Sequence, residues 1–164
     1  MLADFFVFEI YSLLMQKRKY CDIIYVLEAT MHISSKGRYA VRILTDLATS
    51  KSEYTSITEM AERQNISVKY LEKIMNILVK GKLVESLKGS NGGYKLTRQP
   101  KDYSVYDILL LTGDTPTLAP CQNSSQKCVM KDKCTSIGYW DTLQKMIIDN
   151  LKKITIQNII DKTY

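Results

Sequence analysis

The 164-residue chain has little of what marks the special protein classes. Seven Gly and three Pro exclude collagen-like and low-complexity sequences. Four Cys, with Cys21 remote from Cys121, Cys128 and Cys134, do not make the dense framework of a secreted disulfide scaffold. No run of eighteen apolar residues occurs, which argues against a spanning helix and a membrane partner. There is one His, His32, and no Ser-His-Asp, Cys-His or paired-carboxylate constellation, so an enzyme is a poor reading. What remains is an ordinary globular composition, 45% apolar and 24% charged. The chain is long enough to bury a core without staples. One domain fits comfortably and two compact domains are tight.

Charge is unevenly placed. The net charge is +6, and the whole excess falls within residues 31–100. Residues 1–30 are slightly acidic and residues 101–164 nearly balanced. A local basic excess suggests a polyanionic partner, nucleic acid before membrane. Charge alone equally fits a surface that only keeps the protein in solution.

Residues 1–30 look foreign to the rest. All three Phe lie in the first eight residues, and Lys17-Arg18-Lys19 follows the apolar stretch instead of preceding it. That order, with no small-residue cleavage site, disfavours a signal peptide. A helical hairpin or interfacial helix fits these residues. The favoured expectation is a doubtful leader, with Met31-His32-Ile33-Ser34-Ser35-Lys36-Gly37 as the true start. A cytoplasmic location follows.

From Ser34 the helical periods are regular. Ser34 or Ser35 can cap a helix to about Ser50, whose apolar face is Tyr39, Ala40, Ile43, Leu44, Leu47 and Ala48. Arg38 and Arg42 lie near its start, where backbone N–H groups attract anions. Ser56-Ile57-Thr58-Glu59 is a capping box for a short helix to Gln64. Asn65-Ile66-Ser67 is a turn, and Ser67 caps a helix from Val68 to about Lys80. Leu71, Ile74, Met75 and Leu78 form its core stripe. Lys69, Glu72, Lys73, Asn76 and Lys80 occupy its other face, a pattern suited to the major groove. An exposed amphipathic helix in a small helical domain has the same pattern.

The next segment favours DNA. Residues 83–88 and 94–97 read as two short strands around the turn Gly89-Ser90-Asn91-Gly92-Gly93. A hairpin directly after a recognition-type helix is a wing. Its glycines allow close phosphate approach, and Lys88 can enter a minor groove. Residues 101–115 read as another short helix packed through Val105, Ile108, Leu109 and Leu111.

Cys121, Cys128 and Cys134 form C-x6-C-x5-C in a segment too polar to order itself by burial. Three close thiols in a cytosolic protein suggest a metal or cluster. Zinc favours shorter Cys loops and four protein ligands, whereas an iron–sulfur cluster tolerates wider spacing. A redox-active thiol set, or unrelated surface cysteines, stay open. Lys127, Lys131 and Lys133 would lower the thiol pKa values. Beyond the loop, Ile137, Trp140, Leu143, Ile147, Leu151 and Ile154 recur every three or four residues. This is a long amphipathic helix from Ile137 to about Lys153, followed by a tail. It either packs on its own domain or forms a dimer seam through Trp140, Leu143, Ile147 and Leu151.

Together these residues resemble the Rrf2 family of bacterial winged-helix transcription regulators, the IscR, NsrR and CymR group. The matching residues are Ser35-Lys36-Gly37-Arg38-Tyr39-Ala40, Ala61-Glu62-Arg63-Gln64, Ile66-Ser67, Tyr70-Leu71-Glu72, Gly92-Gly93-Tyr94, Trp140 and Ile154-Thr155. The fold implied is mainly α with a small β-wing. A winged helix-turn-helix domain (31–115) leads to a cysteine cluster loop (116–136), then a dimerisation helix and tail (137–164). The function implied is a homodimer on a partly palindromic double-stranded operator. The DNA-facing set is Arg38, Ser67, Lys69, Tyr70, Glu72, Lys73, Asn76, Lys88, Gly89, Gly92, Gly93 and Tyr94. In cluster-bearing members three Cys of this loop hold an iron–sulfur cluster, matching Cys121, Cys128 and Cys134. The expected cofactor is a 2Fe–2S cluster, with 4Fe–4S as the alternative. The chain departs from the pattern in two ways. The first Cys gap is six residues where the family has five, and the ligating His of IscR-type members is Ile137 here. NsrR-type members use a carboxylate where this chain has Arg38. The fourth ligand stays open among Asp132, Ser136, Asp141, His32 and an exogenous thiol. The alternative function is a regulator without a cluster, controlled by protein interaction like CymR or carrying structural zinc.

Overall fold

Hydroxyl side chains begin most of the helices. In the computed structural model, which describes residues 33–89, 92–114, 116–119, 122 and 128–164, α1 spans Ser35–Thr49 and α2 spans Ile57–Gln64. α3 spans Val68–Lys80 and α4 spans Val105–Leu111. α5 runs over Ile137–Lys153 and α6 over Ile156–Asp161. Ser34, Ser56, Ser67 and Ser104 each accept a hydrogen bond from the amide three residues on, opening α1 to α4. Thr155 and Asn158 form a reciprocal capping box at α6. Each such oxygen satisfies an N–H that the helix leaves without an internal partner. Asn65 closes α2 in the left-handed conformation, φ 52°, which makes the tight turn into α3. The doubtful leader 1–30, Met31, His32, Ser90, Asn91 and Cys121 lie outside the described residues.

The helices pack through the stripes their spacing predicts. Ile43, Leu44, Met60, Leu71, Ile74, Met75 and Leu78 are all fully buried. Each such side chain stabilises the fold by roughly 1.5–3 kcal/mol. Ile66 plugs the turn between α2 and α3 at 9% exposure. Arg63 clamps the outside, donating to both oxygens of Asp46 on α1, while Gln64 donates to Asp46 as well.

β1 (Val84–Leu87) and β2 (Gly93–Leu96) form the wing, paired antiparallel with Val84 opposite Leu96 and Leu87 opposite Gly93. Thr55 bridges to Tyr94 through two backbone hydrogen bonds, at 3.0 and 2.9 Å, so the α1–α2 connection covers the outer edge of β2. Gly93 is required there, since a Cβ would lie 2.5 Å from the Thr55 carbonyl oxygen. Tyr103 is buried under the wing, where its hydroxyl donates to Leu83 and accepts from the Arg98 amide.

The bounds of α2, α3 and α5 match the sequence expectation, β1 is shorter than expected, and β2 lies one residue earlier at both ends. The helix expected over 101–115 is confined to α4, after a 3-10 turn at Pro100–Asp102. The expected tail after α5 holds a helix instead. α6 packs back on α1, Ile156 is fully buried, and the Val105 and Ile156 amides bond to Ile154 and Tyr103.

Two compact units result. One comprises Ile33–Pro116 with Cys134–Tyr164, and Thr117–Lys133 belongs to the other. In that second unit a 3-10 turn, Lys131–Lys133, follows Cys128, and Val129 is 97% exposed. Among the described residues no helix is long and apolar enough to cross a membrane.

Candidate nucleic-acid interface and cysteine segment

Burial of the core stripe of α3 leaves the opposite face outward. Ser67, Lys69, Glu72, Lys73 and Asn76 are exposed, whereas Tyr70 is half-buried with its ring edge-on to Tyr39 of α1 at 5.8 Å. Tyr70 therefore fixes α3 against α1 and offers only its outer edge. Among the described residues Lys69, Lys73 and Lys88 form no ion pair, so these cations stay available to an anionic partner. Arg38 is exposed and donates to the Ser35 hydroxyl one turn back. Arg42 is occupied differently. It donates to the Gln64 side chain and the Gln64 carbonyl, capping the C-terminal end of α2.

The wing shows a similar division. Lys88 and Gly89 are exposed at the start of the turn, and Gly89 has φ +123°, with open space where a Cβ would stand. Gly92 closes the turn by donating to the Gly89 carbonyl, and a Cβ there would meet Leu87 O at 2.3 Å. Tyr94 is half-buried on the core. Lys95 is committed to Glu53 at 3.0 Å and Glu85 at 3.2 Å, above the Tyr54 ring. The Tyr54 hydroxyl and Lys95 hold the Glu85 carboxyl below its usual range, and the hydrogen bonds from Lys95 to this cluster raise the ammonium pKa. Lys95 thus fastens the wing.

At the start of the winged unit, Asp114 reaches across eighty residues to α1. Its carboxylate accepts from the Ser34 amide at 3.1 Å, the Ser34 hydroxyl at 3.0 Å and the Thr112 hydroxyl at 3.0 Å. A Cβ on Gly37 would fall 2.1 Å from that carboxylate, which explains the glycine. A carboxylate on a helix N-terminus is also electrostatically favourable. Sequence reasoning missed Asp114, because nothing local marks a partner so distant.

Of the cysteines, Cys128 is an exposed free thiol, Cys134 is a half-buried one, and Cys121 lies outside the described residues. The Ser136 hydroxyl faces Cys134 Sγ at 3.3 Å. That hydroxyl, with the amides of Ser136 and Ile137, holds the Cys134 thiol below its usual range. Such a nest of donors favours thiolate, the form that binds soft metals and iron–sulfur clusters. Cys134 therefore fits the chemistry of the expected centre. Among the described residues no three His, Cys, Asp or Glu side chains gather as a metal-holding group. On α5, Trp140 is 38% exposed, Leu143, Ile147 and Leu151 are half-buried, and no residue of the helix is buried.

Comparison with known proteins agrees with this geometry. A family profile described as Rrf2, iron-dependent transcriptional regulator, matches residues 33–162. The transcriptional regulator IscR of Pectobacterium atrosepticum is 32% identical over 132 residues, covering 80% of each chain. Protein rrf2 of Nitratidesulfovibrio vulgaris is 30% identical over 131 residues, 79% of this chain and 87% of the relative. Among solved structures, IscR from T. potens superposes with a TM-score of 0.62 at 31% identity, over 81% of this chain and 88% of that one. The global cysteine regulator CymR of B. subtilis gives 0.63 at 26% identity, over 82% of this chain and all of that one. Regulators of this family are DNA-binding proteins, and the helix-turn-helix, wing and returning C-terminal helices described above place the chain among them: it belongs to the Rrf2 family of transcriptional regulators.

Proposed function

We propose that the protein is a homodimeric, cytoplasmic, operator-binding regulator that senses through an iron–sulfur cluster held by Cys121, Cys128 and Cys134. The observation that carries DNA binding is the division of α3, fully buried along Leu71, Ile74, Met75 and Leu78 and exposed along Lys69, Glu72, Lys73 and Asn76. In this reading Lys69, Lys73, Arg38 and Ser67 meet phosphates, and Glu72 and Asn76 meet base edges. Lys88, Gly89 and Gly92 bring the wing to the backbone, Gly93 and Tyr94 set its position, and Tyr70 sets that of α3. A carboxylate among basic residues selects by exclusion, since Glu72 accepts from a cytosine amino group and repels phosphate.

Dimerisation is supported by α5, whose apolar residues Leu143, Ile147 and Leu151 have no buried member within the chain. Two copies joined there present two α3 helices to half-sites about one helical turn apart. Cluster binding is supported by the three-Cys spacing and by the donors around Cys134. The cluster would supply an iron- and redox-sensitive centre. The cysteines would hold it, and its gain or loss must change operator affinity through a difference between two states.

Two measurements test this. Operator affinity of the full chain should fall steeply with salt, as phosphate contacts require, and a flat salt response refutes DNA binding. Protein purified without oxygen should be brown, with iron and sulfide in matching amounts. A colourless protein that takes up no iron removes the cluster and leaves control by zinc, bare thiols or a protein partner.

A further inference from the structure

One outward residue of α3 carries no polar group. Val68, the first residue of the helix, is 37% exposed, whereas Leu71, Ile74, Met75 and Leu78 are fully buried. Tyr70, Ile77 and Val79 are half-buried, so Val68 is the one exposed apolar side chain of α3. It lines an open cleft of about 390 Å³ at the α2–α3 turn, where the other exposed side chains, Thr58, Glu62, Asn65 and Ser67, are all polar. Core packing therefore does not account for an apolar residue here, and valine is not a favoured helix former either. Its position is nevertheless fixed. Ser67 accepts from the Tyr70 amide at 3.4 Å and closes the first turn, and the Tyr70 ring stands edge-on to Tyr39. A valine in a helix has one strongly preferred χ1. Two methyl groups are thus held in place at the leading end of α3.

Resting on the reading of α3 as the recognition helix, we propose that Val68 is a specificity-determining residue that reads the 5-methyl group of a thymine in the operator. A recognition helix contacts base edges with its N-terminal residues, and Val68 is the first residue of α3. Base pairs present hydrogen-bond donors and acceptors in the major groove, and one apolar group, the thymine methyl. Lys69, Glu72 and Asn76 suit the donors and acceptors, and among the outward side chains of α3 only Val68 is wholly apolar. Contact removes the methyl and the valine from water together. A methyl is comparable to one buried CH2, which corresponds to about 4-fold in affinity. Little rotamer freedom is lost, because the side chain is already ordered in the free protein. A cytosine in the same place would turn its amino group toward the valine and leave that donor without a partner.

The test starts from an operator that the full-length protein selects out of random-sequence duplexes. Each thymine of that operator is replaced singly by deoxyuridine, which removes the methyl and keeps the hydrogen-bonding edge. Wild-type binding should weaken about 4-fold at one thymine of each half-site. Val68→Ala should bind the unmodified operator at least that much more weakly, and the same deoxyuridine should then cost it nothing. Val68→Thr, which keeps the shape and one methyl, should retain part of the penalty. Val68→Ala should also keep the wild-type melting temperature and salt dependence, since it removes neither a fully buried side chain nor a charge. If no deoxyuridine effect disappears with the valine, the proposal is overturned and α3 reads sequence through its polar side chains alone. A Val68→Ala protein that still distinguishes thymine from deoxyuridine, yet binds both operators poorly, makes Val68 a packing residue and equally overturns it. Failure of the wild type to select any sequence overturns the reading of α3 as well.

Discussion

α3 and α5 are both amphipathic, yet the molecule treats them in opposite ways. α3 closes its apolar side completely, with Leu71, Ile74, Met75 and Leu78 all at 0% exposure. α5 is longer and keeps Trp140, Leu143, Ile147 and Leu151 at least partly in water. Its inner side meets α4, where Lys152 lies over the Tyr106 ring at 4.9 Å. One helix is finished by its own chain and displays polarity. The other is left incomplete and displays apolar surface. The lesson is that amphipathic periodicity fixes which side is apolar, and only the rest of the fold decides whether that side is already covered.

The contrast can be broken from either end. Ile74→Ala removes a fully buried side chain from α3, and denaturant unfolding should register a loss of about 2–5 kcal/mol. Ile147→Asp on α5 should leave the protomer folded and yield monomers in sedimentation, with operator affinity lower by roughly 10²-fold as two half-sites lose their linkage. An unchanged dimer would show that α5 is not the seam. Asp114→Ala leaves the Ser34 amide without its acceptor, and urea unfolding should show a loss of about 1–3 kcal/mol. Lys69→Ala is the mildest change. It should spare stability and shorten the salt dependence of operator binding by about one phosphate contact, and an unaltered slope places Lys69 off the DNA.

Much of this was legible in the sequence because the signals are local. Ser56, Asn65 and Ser67 bracket α2 and α3 through their own chemistry, and the three- and four-residue spacing from Ile137 marks α5 to the residue. Other features depend on distant partners. Gly37 has no local explanation, and its reason is Asp114 packed against it. Arg42 reads as an anion-binding residue until Gln64 takes it up. Lys95 carries no local sign that Glu53 and Glu85 bind it. α6 is a different case. Thr155 and Asn158 are a legible cap, but six residues are too short for periodicity to stand out.

The reach of Asp114 to Ser34 also orders events during synthesis. At about 5–20 residues per second, the eighty residues between them take roughly 4–16 s to be made. Over that interval the first helix of the winged domain has no carboxylate on its first turn. The core waits longer still, for Ile156 on the returning α6. All three loop cysteines have been translated before that last core residue is added. The three thiols are therefore in the chain before the residue that completes its buried core, and they precede the finished fold rather than follow it.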